Sequence, residues 1–128
     1  MSAAPPVPRV LLVDDNHGFR HELRLLLEDC GIEVVAEGEN GQEAVELASR
    51  TDADVVLMDL RMPVMDGLEA ARTLRDRAPA LPVIILSAYE DPALKSEAAA
   101  ANAYAYLVKG CSGSLVLDTI EQAFRATR

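Results

Sequence analysis

Short unbroken apolar runs constrain this chain more than any other feature. Arg9 to Val13, Asp54 to Met58 and Pro82 to Leu86 each read as a strand. Within them the apolar residues do not alternate with polar ones: Val10-Leu11-Leu12-Val13, Val55-Val56-Leu57-Met58 and Val83-Ile84-Ile85-Leu86. A strand with one face in water alternates. A strand covered on both faces does not, and covered strands of this kind are parallel ones joined by crossover helices.

The segments between the runs carry the matching signal. His17 to Cys30 places Phe19, Leu23, Leu26 and Leu27 at helical spacing, with Gly31 as its stop. Ile32 to Ala36 reads as a strand, and Gly41 to Arg50 as a helix with Ala44, Val45 and Ala48 inward. Gly67 to Arg77 sets Leu68, Ala71 and Leu74 on one helical face; Pro92 to Ala101 is an alanine-rich helix; Tyr104 to Val108 is a fifth strand. Ser112 caps a last helix running to about Ala126. Five strand–helix units in succession predict an α/β chain: a flavodoxin-like (βα)5 doubly wound three-layer sandwich around a parallel five-stranded sheet. Its 128 residues suit one domain, expected over 9–128, with the small and proline-rich residues 1–8 expected as a mobile tail.

Composition narrows the classes of function. The net charge is −9, there is no Trp and the basic residues are scattered, so a nucleic-acid backbone is repelled by the chain as a whole. No apolar run reaches the roughly 18 residues of a membrane helix. The first eight residues lack the basic start and apolar stretch of a secretory signal, so a cytoplasmic location and no membrane partner are expected. Cys30 and Cys111 match no metal or redox spacing and read as buried thiols.

In this architecture ligands bind at the carboxyl ends of the strands. Strand 1 ends in Val13-Asp14-Asp15-Asn16, strand 3 in Met58-Asp59, strand 4 in Leu86-Ser87 and strand 5 in Val108-Lys109. Each residue alone has an ordinary reading: Asp14-Asp15 as a helix cap, Asp59 as a turn residue, Ser87 as another cap, Lys109 as a solvated lysine. Together they put three carboxylates on one rim, which is unfavourable unless a cation joins them. Mg²⁺ takes oxygen ligands from one or two carboxylates plus phosphate oxygens and waters, and Asp14, Asp15 and Asp59 suit it. Lys109 adds a point charge and Ser87 a hydroxyl donor.

This set, with Met58-Asp59-Leu60-Arg61-Met62-Pro63-Val64-Met65-Asp66-Gly67 and Tyr106-Leu107-Val108-Lys109 in register, resembles the receiver domains of two-component response regulators over roughly Arg9 to Arg125. The resemblance implies that Asp59 accepts a phosphoryl group from a phosphohistidine on a sensor histidine kinase. It implies that Asp14, Asp15, Asp59 and the backbone carbonyl of Arg61 hold Mg²⁺, and that Lys109 and Ser87 contact the phosphoryl oxygens. Ser87 and Tyr106 then form the switch, with Tyr106 as plain core filler the alternative. The chemistry implied is self-phosphorylation and self-dephosphorylation, without turnover of a separate substrate. Lys109-Gly110-Cys111-Ser112 before an amphipathic helix is similar to the NarL/FixJ subfamily. That implies transcriptional output through a helix-turn-helix domain not present in this chain, DNA contact only through that domain, and dimerisation on phosphorylation.

Two positions depart from the family pattern. Gly110 stands where most receivers carry proline, and a cis bond before glycine costs about 2.5–4 kcal/mol, so trans is expected. Asn102 stands where glycine is frequent, and Asn is the next best left-handed helix stop. Arg61 and Tyr89, each two residues beyond a site residue, are expected either to overhang the site and obstruct water or to be solvated loop residues. The rival functions are a degenerate receiver that binds partners without phosphate and a small aspartate-nucleophile phosphatase. Adjacent rather than spaced aspartates on strand 1, and no room for a cap, speak against the phosphatase. A flavin carrier of the same fold needs a phosphate-cradling first loop, where Asp14-Asp15 repel phosphate.

Overall fold

The structure, a computed structural model, describes residues 7–127. Five strands and five helices alternate: β1 (Arg9–Val13), α1 (His17–Asp29), β2 (Glu33–Gly38), α2 (Gly41–Arg50), β3 (Val55–Met58), α3 (Gly67–Arg77), β4 (Val83–Ser87), α4 (Pro92–Ala100), β5 (Ala105–Val108) and α5 (Gly113–Ala126). All strand pairs are parallel, in the order β2-β1-β3-β4-β5. The chain goes outward from β1 to β2 and then returns past β1 to β3. This reversal leaves a crevice at the carboxyl ends of β1 and β3.

The apolar runs explain the layering. Successive side chains point to opposite faces of a strand, so each run feeds two cores. Leu11, Val13, Val56, Met58, Val83 and Ile85 pack under α2, α3 and α4. Val10, Leu12, Val55, Leu57, Ile84 and Leu86 pack under α1 and α5. Burying a Val, Leu or Ile side chain contributes about 1.5–3 kcal/mol, and β1, β3 and β4 hold the largest share of such residues.

Every helix begins on a polar cap: Asn16, Asn40, Asp66, Asp91 and Ser112 each accept a backbone N–H from the first turn. Such a cap contributes about 1 kcal/mol. Asn16, not Asp14 or Asp15, caps α1 and Asp91, not Ser87, begins α4, which removes the capping alternatives for the rim residues. At the other ends, Gly31 (φ 81°) and Asn102 (φ 66°) take the left-handed conformation expected of them. No cis peptide occurs among the described residues, so Lys109–Gly110 is trans as expected, with Gly110 at φ 96°.

Three details differ from the sequence reading. Cys30 is exposed rather than buried, because it is the C-cap of α1 and lies past the last inward turn; Cys111 is half-buried. Strand β2 runs to Gly38 instead of Ala36. A register shift between Val10 and Leu11 carries its pairing as far as Val13, and the charge of Glu37 is held by arginines instead of ending the strand. Of the expected tail, residues 1–6 lie outside the described residues; Pro8 is buried and its carbonyl accepts the N–H of Glu33.

Candidate functional site

The ends of β1 and β3 are held side by side by the hydrogen bond from Asp59 N–H to the Val13 carbonyl, 2.9 Å. Asp59 and Asp14 are buried and Asp15 is exposed. Carboxylate oxygens of these three lie within 4.8 Å of one another. Strand β5 brings in the cation: Lys109 Nζ is 2.8 Å from Asp14 Oδ2 and 3.5 Å from Asp59 Oδ2. It also lies over the Phe19 ring, 4.3 Å from its centroid. Lys109 is therefore not a solvated lysine. Its main chain is fixed as well, because its N–H donates to the Ser87 carbonyl at 2.7 Å.

A cluster of three carboxylates and one ammonium is short of positive charge. Burial pushes the Asp59 carboxyl above its ordinary pKa and Asp14 pushes it further; Lys109 and the Leu60 N–H, at 2.8 Å, pull the other way without prevailing. For Lys109, burial acts to lower the pKa, but Asp14 and Asp59 outweigh it and the net shift is upward. Oxygen donors that converge, crowd their charge and remain partly open to solvent fit a hard divalent cation.

The loop after Asp59 is built to pass close to it. Gly67 N–H donates to the Leu60 carbonyl at 2.7 Å, and a Cβ on Gly67 would lie 2.2 Å from the Asp59 carbonyl oxygen. Only glycine fits there. Gly41 plays the same part across the loop: its N–H meets the Met65 carbonyl at 2.7 Å, and a Cβ would lie 2.6 Å from that oxygen.

Ser87 is buried and Tyr106 half-buried. Ser87 Oγ accepts the Tyr89 N–H at 3.1 Å, and the Tyr106 hydroxyl donates to the Tyr89 carbonyl. Arg61 lies over the Tyr89 ring, 4.8 Å from guanidinium carbon to centroid. Of the rim residues read from sequence, Asp14, Asp15, Asp59 and Lys109 come together directly and Ser87 joins them through its carbonyl at Lys109; Tyr106 and Arg61 meet at Tyr89, which is bonded to Ser87.

Sequence reasoning passed over two neighbours of the cluster. One is Phe19, the platform under Lys109. The other is Arg20, buried at 5% exposure, whose guanidinium donates to the Asp14 carbonyl. A signal for Arg20 was available. It occupies the inward stripe of α1 with Leu23 and Leu27, where a charge requires a partner.

Comparison with known proteins follows the same lines. The sequence model of the family described as response regulator receiver domain matches residues 10–121. The transcriptional regulatory protein YdfI of Bacillus subtilis is 38% identical over 118 residues, covering 91% of this chain and 55% of its own length. The chemotaxis protein CheY of Listeria monocytogenes is 36% identical over 115 residues, covering 90% of this chain and 97% of its own. Among solved structures, a two-component response regulator of the LuxR family from Aurantimonas sp. SI85-9A1 superposes with a TM-score of 0.90 at 32% identity, covering 96% of this chain and 89% of that one. The chain spans about half the length of several curated transcriptional regulators it matches. No helix among the described residues is long and apolar enough to cross a membrane.

Proposed function

This chain belongs to the response regulator receiver domain family, and from that premise we propose that Asp59 is its phosphoacceptor, served by a sensor histidine kinase. The observation that carries the reading is the convergence of the Asp14, Asp15 and Asp59 carboxylates within 4.8 Å beside the Lys109 ammonium. An Asp59 carboxylate oxygen attacks the phosphorus of a phosphohistidine. The P–N bond breaks, the imidazole leaves with the bonding electrons, and an acyl phosphate forms on Asp59. Water later attacks that phosphorus and restores the carboxylate.

Such a transfer needs positioning and charge neutralisation more than covalent assistance. Asp14, Asp15, Asp59 and the Arg61 carbonyl are the groups that would hold Mg²⁺. Bound there, the ion would neutralise charge on the transferring oxygens. Lys109 neutralises another part of that charge, and the Ser87 hydroxyl donates a hydrogen bond to a phosphoryl oxygen. The phosphoryl group adds about −1.5 to −2 charges. Ser87 turns toward it and gives up the Tyr89 N–H, which frees Tyr106 to change the surface formed by α4, β5 and α5. Arg61 stacked on Tyr89 covers the approach of the hydrolytic water, so alanine at both positions is expected to speed loss of the phosphoryl group.

The test is incubation with Mg²⁺ and a small phosphodonor, followed by intact mass. One phosphoryl addition that disappears in Asp59→Asn supports the reading. No addition, or one that survives the substitution, removes it. Output to transcription, a NarL-type subfamily, dimerisation on phosphorylation and a cytoplasmic setting complete the proposal. The first two are supported by similarity to YdfI and to the Aurantimonas LuxR-family regulator; dimerisation and the cytoplasmic setting rest on the family resemblance alone. A helix-turn-helix encoded after the Arg128 codon would support the output; a receiver working alone, as the coverage of CheY allows, would oppose it.

A further inference from the structure

Arg20 is a buried cation beside a site that has to attract cations. Placing a positive charge there weakens metal binding by simple Coulomb repulsion, so its presence needs a reason. Its contacts supply one. Nε is 2.8 Å from Glu37 Oε1, one terminal nitrogen donates to the Asp14 carbonyl at 2.5 Å, and the other meets His17 Nδ1 at 2.8 Å. Glu39 lies 3.9 Å from the guanidinium. Arg24 binds the second oxygen of Glu37. Glu37 is thus a fixed anion: burial works against its charge, but the two arginines overcome that and hold its carboxyl below the usual range.

The Asp14 carbonyl is where β1 leaves the sheet, and the peptide that follows is rigid and planar. Fixing that oxygen fixes the plane from which the Asp15 backbone departs. Immediately after it, the Asn16 N–H donates to Asp14 Oδ1 at 2.8 Å. Asp15 therefore sits between two pinned points. Before it, Asp14 N–H is tied to the Gly38 carbonyl at 3.0 Å.

We propose that Arg20, held by Glu37, is a positioning residue for the cation site, acting through the Asp14 carbonyl to aim the Asp14 and Asp15 carboxylates at the metal. The proposal rests on the reading of those two residues as metal ligands. Its consequence has the opposite sign to electrostatics. Charge alone predicts that Arg20→Gln tightens Mg²⁺ and that Arg20→Lys changes nothing. Positioning predicts that both weaken it, because neither side chain can fork between Glu37 and the Asp14 carbonyl. Loss of an outer residue that orients ligands lowers metal affinity about 10–100-fold.

The experiment is calorimetric titration of the whole chain with Mg²⁺ for wild type, Arg20→Gln, Arg20→Lys and Glu37→Gln. Circular dichroism confirms the fold, and phosphorylation rates are measured at saturating Mg²⁺. The expected result is a Kd raised at least tenfold in both Arg20 variants and less in Glu37→Gln. Rates at saturating Mg²⁺ should stay within a few-fold of wild type. Unchanged or tighter binding in Arg20→Lys overturns the proposal. So does collapse of both Arg20 variants to an unfolded chain, which would make Arg20 a support of the fold alone. Wild-type protein that binds no Mg²⁺ instead removes the metal-site reading itself, a separate outcome.

Discussion

The Tyr106 hydroxyl donates to the main-chain carbonyl of Tyr89, the residue whose N–H is bonded to Ser87 Oγ at 3.1 Å. Two side chains from different strands are thereby joined through a single residue of the β4–α4 loop. A hydroxyl drawn away from Tyr89 on one side loosens its hold on the other. This is a short path of two hydrogen bonds joined by one residue, from Ser87 to Tyr106 on β5, and it requires no long chain of contacts.

Tyr106→Phe is expected to cut that path while leaving the phosphoryl chemistry in place. The hydroxyl does not touch Asp59, Asp14 or Lys109, so phosphorylation by a small donor should remain within about threefold. Hydrogen exchange at residues 88–91 should change on phosphorylation in wild type. In the variant it should be fast before phosphorylation and unaltered after it. A loop that still responds in Tyr106→Phe would place the coupling elsewhere.

Asp59 predicts a pH effect. A carboxyl whose folded pKa is raised binds protons more readily when folded, so stability falls as pH rises through the interval between its unfolded and folded values. Burial and Asp14 raise Asp59 in this way. Lys109 is also raised, but its contribution is present below its unfolded pKa and lost only at alkaline pH. In metal-free protein Asp59→Asn should therefore be the more stable form at pH 7. The gain should shrink toward zero as pH falls through the carboxylate range. A difference that stays constant with pH would contradict this.

What could be read in the sequence, and what could not, divides along a physical line. The apolar runs of β1, β3 and β4 are legible because burial on both faces leaves one pattern, and their carboxyl ends deliver Asp14, Asp59 and Ser87 by counting. Lys109 is legible as a strand end but not as the partner of Asp14, since a lysine looks the same in solvent. The strand β2 read as ending at Ala36, before the charge of Glu37, because the arginines that compensate that charge, Arg20 and Arg24, lie on α1, 17 and 13 residues earlier in the chain and adjacent only in space. Cys30 read as buried because free cysteine usually is. Its exposure follows from ending a helix, where the last turn has already left the core.

Val64 was equally illegible, and it carries strain. Its φ is 69°, and the bond from Met65 N–H to the Pro63 carbonyl at 2.7 Å closes a γ-turn around it. Left-handed backbone costs a residue with a Cβ about 1–2 kcal/mol, and a β-branched side chain is the poorest choice there. At 77% exposure Val64 has little burial to offset this. Val64→Gly should raise stability by about 1 kcal/mol, since glycine takes a positive φ without the clash of a Cβ. Thermal melts test it, and a lowered Tm would show that the side chain holds the loop by contact.

Lys109 supplies the counterpart to Arg20. Its ammonium takes Asp14 Oδ2 at 2.8 Å, an oxygen that an incoming metal would share, and it adds positive charge directly at the cluster. Lys109→Met should remove a competitor for that carboxylate and tighten Mg²⁺ binding several-fold. It should also slow phosphorylation roughly 10²-fold, the scale expected when one group that stabilises transition-state charge is lost. Arg20→Gln deletes a cation from the same neighbourhood and is expected to weaken Mg²⁺. Two variants with the same change in charge should thus move one Kd in opposite directions, because Lys109 faces the carboxylate oxygens while Arg20 faces the backbone that carries them. Calorimetry on the pair separates charge from position. If both tighten binding, charge alone governs the site; if both weaken it, Lys109 supports the geometry of Asp14 as well.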